Sequence, residues 1–118
     1  MARAATTSDA FNAIAEPQRR LIIDLLSKGE QSVNSIAGKL NIRQPQVSKH
    51  LGVLREVGLV TVRTVGKQRL YSLNSDGLRP IHDWITPYER LWNERHDRLE
   101  VLIRAAQSAE SSDENKQQ

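Results

Sequence analysis

Residues 32–58 read SVNSIAGKLNIRQPQVSKHLGVLREVG, and this stretch decides the fold. Its apolar residues follow helical spacing on both sides of a short break, which predicts two helices joined by a tight turn. Ala37 is small enough for the second helix to cross close over the first. Asn41 tolerates the left-handed backbone that such a turn needs, and Val47 is placed to fill the space between the helices. These offsets indicate a helix-turn-helix, although a helix pair in a bundle that does not bind DNA would share them.

The N-terminal half of the second helix carries hydrogen-bonding side chains and no acid. Residues 43–50 read RQPQVSKH. Gln pairs with adenine, and Arg or Lys pairs with guanine or phosphate. The first residues of a recognition helix are the ones that meet base edges, and Pro45 lies where its missing N–H is harmless. We therefore expect the helix from about Gln44 to Val57 to enter the major groove of double-stranded DNA.

After Gly58 the hydrophobic period changes from helical to two. Residues 59–64 and 69–73 alternate apolar and polar side chains, and residues 65–68 join them through a glycine-containing turn, which predicts a β-hairpin. Basic side chains lie near its tip. A basic ribbon beside a recognition helix can follow the DNA backbone, although a solvated surface hairpin would look similar.

The segments on either side are helical. Upstream, Ser8 or Thr7 is expected to cap a short helix, Pro17 to begin a second and Ser32 to cap a third. Downstream, an apolar stripe runs almost to the end of the chain, and Pro87 leaves open whether it belongs to two helices or to one kinked helix. The stripe and the first helix predict a homodimer. Its expected interface residues are Phe11, Ile14, Ile81, Trp84, Ile85, Tyr88, Leu91, Trp92, Leu99 and Leu102.

Length and composition bound the class of protein. The chain has 118 residues, 38% of them hydrophobic, and a formal net charge of +3. We expect a flexible N-terminus at residues 1–8, one domain at residues 9–107 with its last helix at about 76–107, and a disordered polar tail at residues 108–118. The first residues contain no apolar run typical of a signal peptide, and no segment is long and apolar enough to span a membrane, so we expect a soluble cytoplasmic protein.

Charge is distributed unevenly along the chain. Residues 1–73 carry eleven Lys or Arg against five acids, and between Lys39 and Arg69 the single acid is Glu56. A basic middle of this kind favours a polyanionic partner. A solvated charged surface would give the same charge count.

Catalytic and cofactor motifs are absent from the sequence. There is no glycine-rich phosphate loop, nucleophile elbow or supported acid pair, so we expect no enzyme activity and no cofactor. The absence of cysteine excludes a thiolate metal site. A site built from histidine and carboxylate ligands is an alternative. Its candidates are His82, Asp83, His96, Asp97 and Glu100.

Two runs of sequence resemble a known family. Residues 11–26, FNAIAEPQRRLIIDLL, and residues 44–60, QPQVSKHLGVLREVGLV, are similar to ArsR-type (arsenic-repressor-like) regulators, and the resemblance extends over roughly residues 11–73. It implies a dimeric winged-helix repressor that binds an imperfect palindrome and is released by an inducer. Residues 81–92, IHDWITPYERLW, resemble the C-terminal helix of a metal-independent branch of that family.

The resemblance also implies roles for single residues. Gln44, Ser48 and Lys49 match the positions that contact bases and phosphates in the family, with Gln46 and His50 beside them. Arg43 stands where many relatives have Ser, which is expected to weaken the helix cap and to add a phosphate contact.

The sequence therefore predicts a mainly helical α+β fold, a winged helix-turn-helix with a two-stranded wing and a long C-terminal dimerisation helix. Its function would be that of a homodimeric DNA-binding repressor. Two alternatives stay open, a metal-responsive repressor and a winged-helix protein–protein interaction module. Trp84, Tyr88 and Trp92 are either part of the dimer interface or an aromatic pocket for a small-molecule inducer of unknown identity. The predicted DNA-contacting residues are Arg43, Gln44, Gln46, Ser48, Lys49, His50, Arg63, Lys67 and Arg69.

Overall fold

The computed structural model describes residues 9–117, with side chains as far as residue 109. Within these residues, five α-helices, three strands and a 3₁₀ turn follow one another. They are α1 (Ala10–Ile14), α2 (Pro17–Leu26), β1 (Gln31–Ser32), α3 (Val33–Leu40), α4 (Gln44–Glu56), β2 (Val60–Val65), β3 (Gln68–Leu73), the 3₁₀ turn (Ser75–Leu78) and α5 (Arg79–Gln117). The chain divides into two compact units, Met1–His82 and Asp83–Gln118, and α5 begins in the first and forms the described part of the second.

The first unit is a winged helix-turn-helix, as the sequence predicts. Helices α3 and α4 form the helix-turn-helix, and β2 and β3 form the wing. The sheet has one strand more than expected, because β1 pairs antiparallel with β3 and gives the order β1-β3-β2. A two-residue strand leaves too short an alternation to be recognised in the sequence.

The turn between α3 and α4 has the predicted backbone. Asn41 is left-handed, with φ 54° and ψ 47°. This conformation lets the Ile42 N–H donate to the Ala37 carbonyl at 3.1 Å. Val47 is fully buried. The roles expected of Ala37, Asn41 and Val47 follow from one requirement, a close crossing of two helices.

The core joins both helices of this pair to the sheet. Its side chains come from every helix of the first unit and from the wing. The largest fully buried ones are Ile22, Ile36, Val47, Leu51, Leu54, Leu59 and Val60.

Helices α2 and α3 begin where the sequence predicts, whereas α1 has a different cap residue from the one expected. Pro17 is the first residue of α2, and the Ser32 hydroxyl accepts from the Ser35 N–H at 3.2 Å. The cap of α1 is Asp9, whose Oδ1 accepts from the Asn12 N–H at 2.7 Å. The prediction of Ser8 or Thr7 as the cap is therefore wrong, because Asp9 is the residue that precedes the first turn.

The wing turn is tighter than expected. Val65 pairs with Gln68, so the strands extend further and only Gly66 and Lys67 form the turn. Gly66 has φ +63°, and Lys67 is not among the described residues with positive φ. Glycine at the first of two central positions is the type II′ arrangement, whose twist matches that of the flanking strands.

Helix α5 is continuous through Pro87. The alternative of two helices, the second beginning at Pro87, is therefore wrong. The helix also includes residues 108–117, for which the sequence predicts a disordered tail. The flexible segment expected at residues 1–8 lies outside the described residues. Over residues 9–117, no helix combines the length and the apolar character needed to cross a membrane.

Candidate nucleic-acid interface

Helix α4 has one buried side and one exposed side. Val47, His50, Leu51 and Leu54 are buried in the first unit. Among the predicted contact residues, the helical ones on the opposite side are exposed. These are Gln44, Gln46, Ser48 and Lys49, and Arg43 is exposed immediately before them. The helix therefore presents a polar N-terminal surface whose backbone is fixed by the core beneath it.

The start of α4 is open toward this surface. Arg43 occupies the cap position and its side chain makes no capping hydrogen bond. The first turn contains no acid. A helix N-terminus that lacks a carboxylate keeps its partial positive charge for a ligand anion.

The structure places His50 away from the other predicted contact residues. Its side chain is 7% exposed, and its Nε2 lies 2.9 Å from Oε1 of Gln18 in α2. A histidine held inside the first unit cannot reach a DNA groove. The sequence placed it beside the contact residues because it lies in the same run, but it stands three residues after Val47 and therefore on the same, buried side of the helix.

The tip of the wing and the start of α4 share a cleft of about 230 Å³. We call it the basic cleft, and it is lined by Ser32, Val33, Asn34, Gln44, Lys67, Gln68 and Arg69. Three predicted contact residues, Gln44, Lys67 and Arg69, thus meet on one surface. Asn34 was not among the predicted contacts. The sequence feature that could have identified it is its position two residues after the Ser32 cap, at the exposed start of α3.

The free cations of this surface lie on α4 and on the wing. Arg43, Lys49, Lys67 and Arg69 are exposed, and within residues 9–109 no salt bridge engages them. None of the residues that line the basic cleft is acidic. The surface therefore carries positive charge that no carboxylate of the described side chains neutralises.

Arg63 differs from the other wing cations. Its Nε and Nη2 each donate to a Glu30 carboxylate oxygen at 2.7 Å. The hydrogen bond from Arg63 lowers the pKa of Glu30, burial opposes it, and the hydrogen bond from Ser72 lowers the pKa further. Glu30 in turn raises the pKa of Arg63. Of the predicted phosphate contacts, Arg63 is thus the one already engaged by a carboxylate.

Arg19 and Arg20 are also engaged within the fold. Arg19 Nε donates to the Ala13 carbonyl at 2.5 Å, and Arg20 Nη1 donates to the Ile14 carbonyl at 2.7 Å. Both thereby satisfy carbonyls at the end of α1, which a helix leaves without partners. These two cations add to the charge count of the sequence without adding to the basic cleft.

The predicted dimerisation residues divide into two groups. In the first unit, Ile14 and Ile81 pack against the core, whereas Phe11 is exposed. In the second unit, Trp84, Tyr88, Leu91, Trp92, Leu99 and Leu102 are each 46–66% exposed, and Ile85 is half-buried. The rings of Trp84 and Tyr88 lie 5.6 Å apart between centroids at a tilt of 56°. In the single chain, α5 therefore exposes a stripe of large apolar side chains to water.

The ligands of the metal alternative do not gather into one cluster. His96 Nε2 lies 3.6 Å from Glu100 Oε1, one turn along α5. Among the side chains that the structure describes, no group of three His, Asp or Glu is placed to hold a metal ion. The metal-responsive alternative and the small-molecule inducer both stay predictions.

Comparison with known proteins identifies the family. The model of the bacterial regulatory protein family arsR matches residues 16–62. The transcriptional repressor SdpR of Bacillus subtilis is 35% identical over 78 residues, which cover 66% of this chain and 87% of that protein.

Solved structures agree with this match. The transcriptional repressor BigR of Xylella fastidiosa has a TM-score of 0.56 and 31% identity, over 73% of this chain and 89% of that one. A homodimeric winged helix-turn-helix DNA-binding domain (fragment 1–100) from Mycobacterium bovis has a TM-score of 0.55 and 29% identity, over 65% of this chain and 72% of that one. The chain therefore belongs to the arsR family of bacterial regulatory proteins, and it is a DNA-binding transcriptional repressor with a winged helix-turn-helix fold.

Proposed function

We propose that the protein represses transcription as a homodimer that binds a palindromic operator, with α4 of each protomer in a major groove and each wing on the flanking backbone. The observation that carries the proposal is the basic cleft. It joins Gln44 at the start of α4 to Lys67 and Arg69 of the wing, with no acid among its lining residues. A base-reading amide and backbone-reading cations are thereby available to one duplex at the same time.

The roles of these side chains follow from their chemistry. Gln44 and Gln46 offer a donor and an acceptor to a base edge, and Ser48 accepts or donates to either base type. Arg43, Lys49, Lys67 and Arg69 are exposed cations that bind phosphates and displace condensed counterions. Asn34, at the start of α3, donates to the backbone beside the same cleft.

Dimerisation follows from the apolar stripe of α5. Trp84, Tyr88, Trp92 and Leu99 expose about half of their surface in the single chain. A second copy of the chain is the partner that we propose for them, since contiguous exposed apolar surface marks an interface. The neighbour from Mycobacterium bovis supports this proposal because it is homodimeric.

The geometry of the operator follows from two-fold symmetry. Two recognition helices related by a two-fold axis read two inverted half-sites, whose centres lie about one helical turn of DNA apart. Because its target is promoter DNA, we propose that the protein acts in the cytoplasm.

Selection from a pool of random duplexes tests this function. The purified full chain is incubated with the pool at two salt concentrations, and the bound duplexes are sequenced. The expected result is an inverted repeat with half-sites about one turn apart, bound more weakly at the higher salt. Absence of salt-dependent binding, or enrichment of a single site without symmetry, would contradict the proposal.

A further inference from the structure

One carboxylate joins all three strands of the sheet. Glu30 lies directly before β1 and accepts both hydrogen bonds of the Arg63 guanidinium, which belongs to β2. It also accepts from the Ser72 hydroxyl of β3 at 3.1 Å. A bidentate guanidinium–carboxylate pair fixes orientation as well as distance. The arrangement therefore ties the residue before β1 to both strands of the wing.

The backbone link at this place is short. Strand β1 pairs with β3 only through Gln31 with Tyr71 and Ser32 with Leu70. Beyond these two pairs, β2 and β3 continue to the tip as a hairpin of two strands. A two-stranded hairpin has little stability of its own, so a side-chain contact only two residue pairs from the turn constrains the tip.

The register of the wing separates Arg63 from the cations of the basic cleft. Arg63 is paired with Leu70, and Arg69 with Thr64. Because side chains alternate between faces along a strand, Arg63 and Arg69 lie on opposite faces of the wing. Arg69 lines the basic cleft and Arg63 does not.

We propose that Glu30 and Arg63 are positioning residues, whose ion pair holds the wing so that Lys67 and Arg69 meet the DNA backbone, and that Arg63 itself contacts no phosphate. This inference rests on the proposed function. Its physical basis is that Glu30 occupies the Nε and Nη2 edge of the Arg63 guanidinium, so a phosphate bound to the remaining N–H groups would lie beside a negative charge. An exposed ion pair contributes little to global stability, so its effect is expected in binding rather than in unfolding.

The two roles for Arg63 predict opposite effects at Glu30. If Arg63 binds phosphate, Glu30→Gln releases it, removes a negative charge and tightens DNA binding. If the pair positions the wing, Glu30→Gln weakens binding even though the protein becomes more positive.

A double-mutant cycle with Glu30→Gln, Arg63→Gln and the double variant measures this difference. The full chain is titrated against a duplex carrying the selected inverted repeat over a range of salt concentrations. We expect each single variant to weaken binding about fivefold and the double variant to bind no more weakly than either. The salt slope stays that of the unaltered protein in all three, because no phosphate contact is lost.

Asp24→Asn is the matched charge control. It removes one exposed carboxylate of α2 that makes no salt bridge within the described residues. We expect its affinity to equal or slightly exceed that of the unaltered protein. Thermal melts followed by circular dichroism establish that each variant is folded. If a single variant fails to fold, the reversed pair Glu30→Arg with Arg63→Glu replaces it, and restored affinity supports the positioning role.

Each other outcome overturns the inference. The positioning role is wrong if Glu30→Gln binds more tightly or if Arg63→Gln has a smaller salt slope. It is also wrong if every variant keeps the affinity of the unaltered protein or if the reversed pair does not restore binding. All of these results leave the proposed function intact. An unaltered protein that binds no duplex in a salt-dependent manner would instead refute the proposed function itself.

Discussion

The imidazole Nε2 of His50 in α4 lies 2.9 Å from the side-chain Oε1 of Gln18 in α2. The ring is buried, and its Nδ1 has no hydrogen-bond partner among the described residues. An amide oxygen accepts, so the Nε2–H donates to Gln18, and in the neutral ring Nδ1 is then the nitrogen without a proton. The contact ties the recognition helix to the helix behind it.

Protonation of His50 is therefore unfavourable in the folded protein. Burial lowers its pKa from the usual 6.5, and Arg19 and then Lys49 lower it further, while Glu16 opposes them. Well above pH 6.5 the ring is neutral in the folded and unfolded chain alike. As the pH falls below that value, the unfolded chain takes up a proton before the folded chain does, so stability decreases.

We expect the melting temperature to fall between about pH 7.5 and about pH 5.5 more in the unaltered protein than in the His50→Gln variant, whose amide keeps a donor and does not titrate. His96→Gln is the control, since it removes an exposed histidine of the second unit. Equal losses of stability in the unaltered protein and the His50→Gln variant would show that His50 does not carry the pH dependence.

Val47→Ala tests the packing of the helix-turn-helix. Val47 is fully buried, and truncation leaves a cavity that rigid neighbours cannot fill. We expect a loss of about 2 kcal/mol in the free energy of unfolding, measured with urea. The control Val65→Ala, at a wing position 48% exposed, should cost less than about 0.5 kcal/mol. Similar losses at the two positions would contradict the packing.

Asn41 tests the backbone of the turn. Its φ of 54° lies in the left-handed region. Asn tolerates this region because its short polar side chain can form a local hydrogen bond, whereas Ala has a Cβ and no such hydrogen bond. We expect Asn41→Ala to lower the free energy of unfolding by about 1 kcal/mol and Asn41→Gly to change it by less than half of that. A smaller loss for Ala than for Gly would argue against the left-handed turn.

Much of this fold could be predicted because the deciding residues act locally. Ala37, Asn41 and Val47 serve one helix crossing and stand within a short stretch of chain. The change of hydrophobic period after Gly58 marks the wing, and the buried Val60 and Tyr71 confirm its alternation. Local periodicity and turn chemistry are the signals that a single sequence carries most strongly.

The remaining features depend on contacts between distant segments. Glu30 and Arg63 stand 33 residues apart, and His50 and Gln18 stand 32 apart. No spacing rule connects such pairs, so the sequence indicates neither the ion pair of Arg63 nor the burial of His50. Strand β1 exists only because β3 lies beside it. At Pro87 the helix continues where local preference favours a break.

The dimer is tested by a charge on the apolar stripe. Trp92 is 53% exposed in the single chain, and in the proposed dimer Trp92→Glu would bury an unpaired carboxylate. We expect sedimentation equilibrium to show a monomer, with operator affinity reduced because one protomer reads only one half-site. Arg90→Glu is the control, since residue 90 lies across the helix from residue 92 in a repeat of 3.6 residues per turn. A Trp92→Glu protein that remains dimeric would place the interface elsewhere.

Gln44→Ala tests base reading by α4. Gln44 is exposed at the first position of the helix and lines the basic cleft. We expect the variant to lose about 1–3 kcal/mol of discrimination at one base pair in each half-site while its affinity for unrelated duplexes stays the same. Competition between the selected repeat and single-base variants of it measures this. Unchanged discrimination at every position would remove Gln44 from the groove.

The salt dependence of Arg69→Ala tests the central claim, that the basic cleft is the DNA-binding surface. Arg69 is an exposed wing cation that lines the cleft, so its removal should cost about one phosphate contact per protomer and reduce the slope of log affinity against log salt by about 0.9 for each. Arg90→Ala, on the second unit, should leave the slope unchanged. A lower slope for Arg69→Ala alone is the predicted result, and an unchanged slope for Arg69→Ala would contradict the account.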